Sequence, residues 1–409
     1  MINAGDTVFV LFSAALVMLM TLGLAFFYGG LVRSKNVLSI VMQCLILACA
    51  LSVQWVLFGY SLAFGPDVGG GIIGGLQWVG LHGVGVKPYS TYSSTIPHQA
   101  FMIFQCMFAA ITPALIIGAF AERIKFAGFF VFSLLWATLV YDPLAHWIWG
   151  QGGWLHTLGT LDFAGGLVVH LSAGAAALVL CVLMGKREGY PTQAFIPHNL
   201  PMTYLGLALL WFGWFGFNAG SALAANGVAT SAFVATNTSA AAAGLTWAII
   251  EWILNKAPTS LGTATGVVAG LATITPAAGF VTPVAALIIG IAAGAVCYYM
   301  VAVVKQRFGY DDSLDVFGVH GIGGLLGTFC VGLLASKGVN PGGADGLLYG
   351  GFHLFVSQIL GIVATFAYSV AITIVLYKVV DSTIGMRVSR EDEVMGLDLA
   401  QHKEAAYGD

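Results

Sequence analysis

The sequence predicts an all-α integral membrane protein of eleven transmembrane helices, with the N-terminus outside and the C-terminus inside. Three observations predict it. Of the 409 residues only 8% are charged and 58% are hydrophobic, and the mean hydropathy is +0.90. That is too little charge to cover a soluble domain of this length. Eleven apolar segments each come close to the roughly 20 residues that a helix needs to cross about 30 Å of hydrocarbon. The basic residues sit almost entirely in alternate connectors, which is the positive-inside pattern.

The first segment, 7–30, follows MINAGDTVFV, which carries no basic stretch. At about 22 residues its apolar run is a span rather than a cleaved signal. Arg33 and Lys35 follow it on the inner side. The second segment, 37–65, leads to an outer loop that holds Lys87. The third, 98–121, ends at Arg123 and Lys125 inside, and the fourth, 127–147, returns outside. The fifth, 162–185, ends at Lys186 and Arg187. The sixth and seventh, 200–220 and 226–254, lead to Lys256. The eighth and ninth, 261–280 and 283–305, lead to Lys305 and Arg307. The tenth, 316–335, precedes Lys337 outside. After the eleventh, 351–379, the tail carries Arg387, Arg390 and Lys403, with Lys378 at its start. Thirteen basic residues thus fall inside and two outside. The membrane domain is expected to cover 1–380 and a cytoplasmic tail 381–409. The 54 glycines suit close helix packing in lipid. All six cysteines lie within apolar segments, so neither disulfides nor a zinc site are expected. A net charge of −3 gives no sign of a nucleic-acid partner; membrane lipid is the expected surrounding.

Short matches recur between the two halves. FYGG (27–30) ends the first segment and FNAGS (217–221) the sixth. ITPA stands at 111–114 in the third and at 274–277 in the eighth. LDFAGGLVVH (161–170) opens the fifth, and LDVFGVH (314–320) the tenth. Partners lie five segments apart, and an odd offset makes them cross in opposite directions. That is an inverted repeat, about 7–185 against 200–335, of the kind that places a substrate site near the midplane.

Asp162 and His170 follow from this pattern. His170 lies about 12 Å deeper than Asp162, and His320 about 8 Å deeper than Asp315, at 1.5 Å per residue. Two imidazoles therefore approach the midplane from opposite faces. Polar groups in lipid are costly and face a pathway or a partner; the plainer alternative is two histidines each satisfied by a backbone carbonyl. Asp162 stands where an acid caps a helix start, a structural role near the site, and its charge at the outer mouth also suits a cation.

At these residues the sequence resembles the Amt/Mep/Rh ammonium transporter family, on its bacterial and archaeal Amt side. FYGGLVRSKNVLS (27–39), GAFAER (118–123), DFAGGLVVH (162–170), PHNLP (197–201), WFGFNAGS (214–221) and DVFGVHG (315–321) carry the resemblance, with the tail from 384 to 407. Only the outer loop 66–97 lacks a clear match. The resemblance implies ammonium transport by a homotrimer in the cytoplasmic (inner) membrane, one path per subunit, with no cofactor and no enzymatic activity. It implies an outer cation site at Phe104, Phe108, Trp149 and Ser221, with Asp162 beside it. It implies an aromatic gate at Phe108 and Phe217, paired imidazoles at His170 and His320, and Trp214, Phe27 and Tyr28 along the path. It also implies a tail packed beneath the trimer that can dock a PII-type regulatory protein.

These assignments make chemical sense. Aromatic faces attract cations, Trp most strongly, and a serine hydroxyl accepts an N–H bond. Without the resemblance, Trp149 reads as an interfacial anchor and the phenylalanines as packing. A pore lined by phenylalanine offers few oxygens to a dehydrated metal cation, whereas ammonium can lose a proton and cross as ammonia. Apolar surroundings disfavour an imidazolium, so two neutral rings can share a hydrogen bond, present polar atoms to ammonia and relay the proton. Methylammonium is a candidate second substrate. Three other classes compete: an ammonium receptor of the same fold, which would append a signalling domain where here about 30 residues follow the last segment; an Rh-type gas channel, generally of twelve spans; and a haem protein, which would need the imidazoles on opposite faces of the cofactor. The charge asymmetry places residue 87 outside and residue 256 inside. Single-cysteine labelling in a background without native cysteines should modify each from one side only, and labelling of both from the same side would overturn the eleven-span topology.

Overall fold

The computed structural model describes residues 1–408, and apart from three isolated backbone bridges these residues contain no strand. Ten helices are long and apolar enough to cross a membrane: α1 (Ala4–Leu31), α2 (Ser34–Phe64), α3 (His98–Phe120), α4 (Phe126–Thr157), α5 (Gly166–Met184), α6 (Leu200–Gly220), α7 (Gly227–Asn255), α9 (Pro283–Phe308), α10 (Phe317–Leu334) and α11 (Phe352–Thr383). Between α7 and α9 lies a shorter apolar helix, α8 (Ser260–Ile274). A short α12 (Arg390–Met395) follows in the tail.

Helix limits follow the local chemistry. Asn3, Asn199, Asn226, Thr259 and Thr282 accept from backbone N–H groups at the starts of α1, α6, α7, α8 and α9, as capping requires. The eighth segment, expected over 261–280, is helical only to Ile274. Pro276 cannot donate to the helix, and the Ile274 carbonyl is taken by Ala277 in a tight turn. The shortened end lets Pro276 pack on Gly166 and accept from the Phe163 backbone N–H at 3.1 Å.

Two contacts organise the bundle. α1 packs on α6 along most of its length. α5 and α10 cross where Gly174 meets Gly321: a Cβ on Gly174 would lie 2.1 Å from the Gly321 Cα. No larger residue permits that approach, which in lipid is stabilised by dispersion contacts rather than by the hydrophobic effect. It brings the histidine-bearing turns of both helices together.

The loops on the basic side are tied by buried ion pairs. Glu122 contacts Arg33 at 3.0 Å and Arg187 at 3.1 Å. Arg187 also holds Asp311 at 2.8 Å, and Asn36 donates to Glu122 at 2.9 Å. The tail is docked on this layer. Arg387 pairs with Glu393 at 2.9 Å, and Asp398 accepts from the Leu38 and Ser39 N–H groups at 3.0 and 2.8 Å. Tyr407 meets His198 at 2.8 Å.

Desolvation pushes the Glu122 carboxyl up, but the hydrogen bond and charge of Arg33 and the charge of Arg187 outweigh it and hold the group below its ordinary value. A depressed native value means that its contribution is present at neutral pH. It is lost as pH falls below the usual glutamate range of about 4.3. Glu122→Gln is expected to lower stability, because it removes the carboxylate that Arg33 and Arg187 share, although Arg187 keeps Asp311. Thermal unfolding in detergent should show a lower midpoint for the variant at neutral pH, with the difference vanishing in strong acid. Equal midpoints at neutral pH would rule out a stabilising role.

Candidate functional site

Both histidines sit on π turns, Gly166–Leu171 in α5 and Phe317–Gly321 in α10. The first N–H groups of any helix lack an intrahelical partner, so each of these helix starts needs a local acceptor. In α5 that acceptor is Asp162. One carboxylate oxygen accepts from the Gly165 and Gly166 N–H groups at 2.8 and 2.6 Å, and the other from Leu167 and Val168 at 2.7 and 3.2 Å. Gly165, at φ 117°, makes the left-handed turn that wraps the chain around it. In α10 the equivalent acceptor is Asp312, which accepts from Val316 and Phe317 at 3.1 and 2.8 Å. The match of LDVFGVH had set Asp315 against Asp162, and the structure corrects this. Asp312 precedes His320 by the same eight residues that separate Asp162 from His170. Asp315 instead pairs with Lys305 and lines the cavity on the basic side.

The two Nδ1 atoms lie 3.3 Å apart, with ring centroids at 5.2 Å and planes tilted by 20°. A bond between two such nitrogens takes one donor and one acceptor. The His170 Nε2 has no partner although it is buried. His170 stacks on Trp214 at 5.4 Å, and Trp214 is fixed by its N–H bond to the Thr275 hydroxyl at 2.9 Å.

Two adjoining cavities meet at this pair, and another lies beyond Phe108 and Phe217. The one away from the basic side, termed the outer cavity, of 230 Å³, is lined by Phe108, Trp149, Asp162 and Ser221 among others. The middle one is a slot of only 10 Å³, lined by Phe27, Tyr28, His170, Trp214, Phe217 and His320. That is room for about one water-sized molecule. The third, of 320 Å³, shares Phe27, Tyr28 and His320 with the slot and opens among residues of the basic side such as Phe195 and Asp315. Phe108 borders the outer cavity and Phe217 the slot, and their rings stand 4.3 Å apart. The pair stands between the two spaces.

The family model of the ammonium transporter family matches residues 8–407. The chain belongs to that family. It is 56% identical over 405 residues to an ammonium transporter of Bacillus subtilis, covering 99% of each chain. Among solved structures, Mep2 of Saccharomyces cerevisiae superposes with a TM-score of 0.90 at 36% identity, over 95% of this chain and 88% of that one. A sensor Amt protein superposes at 0.88 with 30% identity, over 97% and 98%. Together with the apolar helices this makes the chain a multi-pass membrane protein.

The residues that the family resemblance singles out fall in distinct places. Trp149 stands edge to face with Phe108 at 6.1 Å and donates its indole N–H to the Asp162 carbonyl at 2.8 Å. The Ser221 hydroxyl donates to the Phe217 carbonyl at 2.9 Å, which leaves its oxygen lone pairs for a donor in the cavity. Phe104 does not border the outer cavity; it is fully buried against Phe108, at 5.0 Å. Asp162 borders it, but all four of its contacts go to the backbone. Tyr28 donates to the Leu115 carbonyl at 3.1 Å, which fixes its ring between slot and inner cavity.

Other lining residues were not anticipated. Gln105 lines the outer cavity, and its side-chain carbonyl is buried without a protein partner; the signal for it was a lone amide in an apolar helix, one residue past Phe104. The eight-residue spacing to His320 was the available signal for Asp312. Tyr92, from the unmatched outer loop, had none. Asp162→Ala should strand four buried N–H donors, each worth about 1–3 kcal/mol. A strongly lowered unfolding midpoint in detergent is expected; an unchanged midpoint would show that the capping bonds are dispensable.

Proposed function

We propose that this protein carries ammonium across the cytoplasmic membrane, taking up the cation at the outer cavity and passing neutral ammonia through the slot. The observation that carries this reading is the slot itself: space for a single small molecule, walled by aromatic and aliphatic groups, with two hydrogen-bonded imidazoles as its polar lining. The topology of this reading has eleven spans, α8 included, with the N-terminus outside and the tail 381–409 in the cytoplasm. Residues 1–380 are the transport domain, and three copies assemble with one path each.

In this mechanism the ammonium ion leaves bulk water for the faces of Trp149 and Phe108, and the Ser221 hydroxyl oxygen accepts one of its N–H bonds. The slot offers no ring of oxygens to replace a hydration shell, so a bare potassium ion meets a desolvation barrier. Ammonium escapes that barrier by giving up a proton. Displacement of the Phe108 and Phe217 rings then admits ammonia, which can donate to or accept from the imidazole nitrogens as it passes. The shared proton between His170 and His320, and the unpartnered His170 Nε2, give the released proton a separate route. Ammonia regains a proton in the wider inner cavity. Methylammonium fits the outer cavity as a second substrate, and the docked tail offers a PII-type protein a structured cytoplasmic surface. The sensor relative supports a second reading, in which uptake at the same outer site is read out rather than conducted.

Current recordings in ammonium and in potassium, at matched protein density, separate these readings. The wild type is expected to give ammonium-dependent current and none in potassium. His170→Asp or His320→Asp places a carboxylate that stabilises an intact cation, so potassium current should appear. Replacement of both histidines by leucine should abolish ammonium current in a folded protein. Undiminished ammonium current in that double variant, with potassium still excluded, would remove the imidazoles from both relay and filter.

A further inference from the structure

The outer loop between α2 and α3 has no helix of membrane length, yet it supplies one wall of the outer cavity through Tyr92. The ring of Tyr92 lies parallel to Phe101, with centroids 4.5 Å apart and planes 3° from coplanar, and meets Phe64 edge to face at 5.4 Å. Its hydroxyl donates to the Phe64 carbonyl and accepts from the Gln151 backbone N–H at 3.1 Å. Gln151 lies two residues beyond Trp149, and Tyr89 of the same loop donates to its side chain at 3.2 Å. The loop is thereby tied to the turn that carries Trp149.

Two consequences follow from these bonds. The hydroxyl is engaged at both its donor and an acceptor position, so Tyr92 presents hydrocarbon and π surface to the cavity rather than a polar atom. Phe101 covers one face of the ring and Phe64 holds its edge, so the ring is fixed in place. A methylated ammonium ion differs from ammonium in just this respect: its methyl group donates no useful hydrogen bond and is best met by an aromatic face. Ser221 serves an N–H donor on either cation, whereas an added methyl group needs a surface of another kind.

We propose that Tyr92 is a specificity-determining residue of the outer cavity, setting how well methylated amines compete with ammonium. The proposal rests on uptake of the cation at that cavity. It places selectivity between alkylated and unalkylated ammonium in the outer loop, away from the slot and its histidines.

The test compares half-saturation concentrations for ammonium-evoked and methylammonium-evoked current, over a full concentration range, for the full-length protein in membranes. The variants are Tyr92→Leu, Tyr92→Met, Tyr92→Phe and Trp149→Leu. The ratio of methylammonium to ammonium half-saturation should rise about two- to five-fold in Tyr92→Leu and Tyr92→Met, the range expected for one aromatic contact to a cation at a partly exposed site. Tyr92→Met retains an unbranched apolar side chain of similar reach and serves if Tyr92→Leu does not fold. Tyr92→Phe keeps the ring and should keep the ratio. An unchanged ratio in both non-aromatic variants, with Trp149→Leu weakening both cations, overturns the role of Tyr92 alone. A shift in Tyr92→Phe as large as in Tyr92→Leu assigns the effect to the hydroxyl tether and also overturns it. If Trp149→Leu changes neither cation, uptake at the outer cavity falls and the proposal with it.

Discussion

Lipid offers no hydrogen bonds, so every backbone N–H and C=O within it must find a partner inside the protein. The rest of the structure depends on how that constraint is met at two helix starts. The helix starts that carry His170 and His320 have no preceding turn to satisfy their first N–H groups. Asp162 and Asp312 supply the missing acceptors. With those groups satisfied, the chain can begin a helix deep in the protein and aim an imidazole from it into a shared slot. The arrangement appears twice, in opposite halves of the chain, which is why the two rings meet.

Aromatic packing around the pair separates wide, partly polar spaces from a narrow apolar one. Phe108 and Phe217 stand between outer cavity and slot, and Trp214 holds His170 in register. Trp149 is oriented by the Asp162 backbone carbonyl. The acid that shapes the start of α5 thus also belongs to the segment that positions the strongest cation-attracting ring. The same few residues that hold the helix start also line the cavity, because both places require polar atoms fixed in an apolar surrounding.

On the basic side the solution is different. Glu122, Arg187 and Asp311 form a buried charge network among three loops, and the tail closes over it through Arg387, Glu393 and Asp398. Loop 185–199 is held both by this network and by Tyr407. Phe195 from that loop borders the inner cavity beneath the Arg187 guanidinium, at 3.9 Å. Tail, loop and cavity wall are therefore mechanically continuous.

Hydropathy reports what surrounds a stretch of chain, and lipid imposes one length on whatever crosses it. That is why the positions of the long helices and the two buried histidines were legible in the sequence. The recess of Pro276 was not, because its turn is set by packing against Gly166 on another helix. Asp312 and Asp315 are both acids near a helix start, and only the hydrogen bonds show which one caps it. Phe104 and Phe108 lie one helical turn apart, yet one stands behind the other rather than beside it at the cavity. Tyr92 reaches the cavity through bonds to Phe64 and Gln151, residues far from it along the chain. A sequence pattern records local period and environment; the direction of a side chain and the partner it finds are decided by contacts between distant residues, and those exist only once the chain has folded.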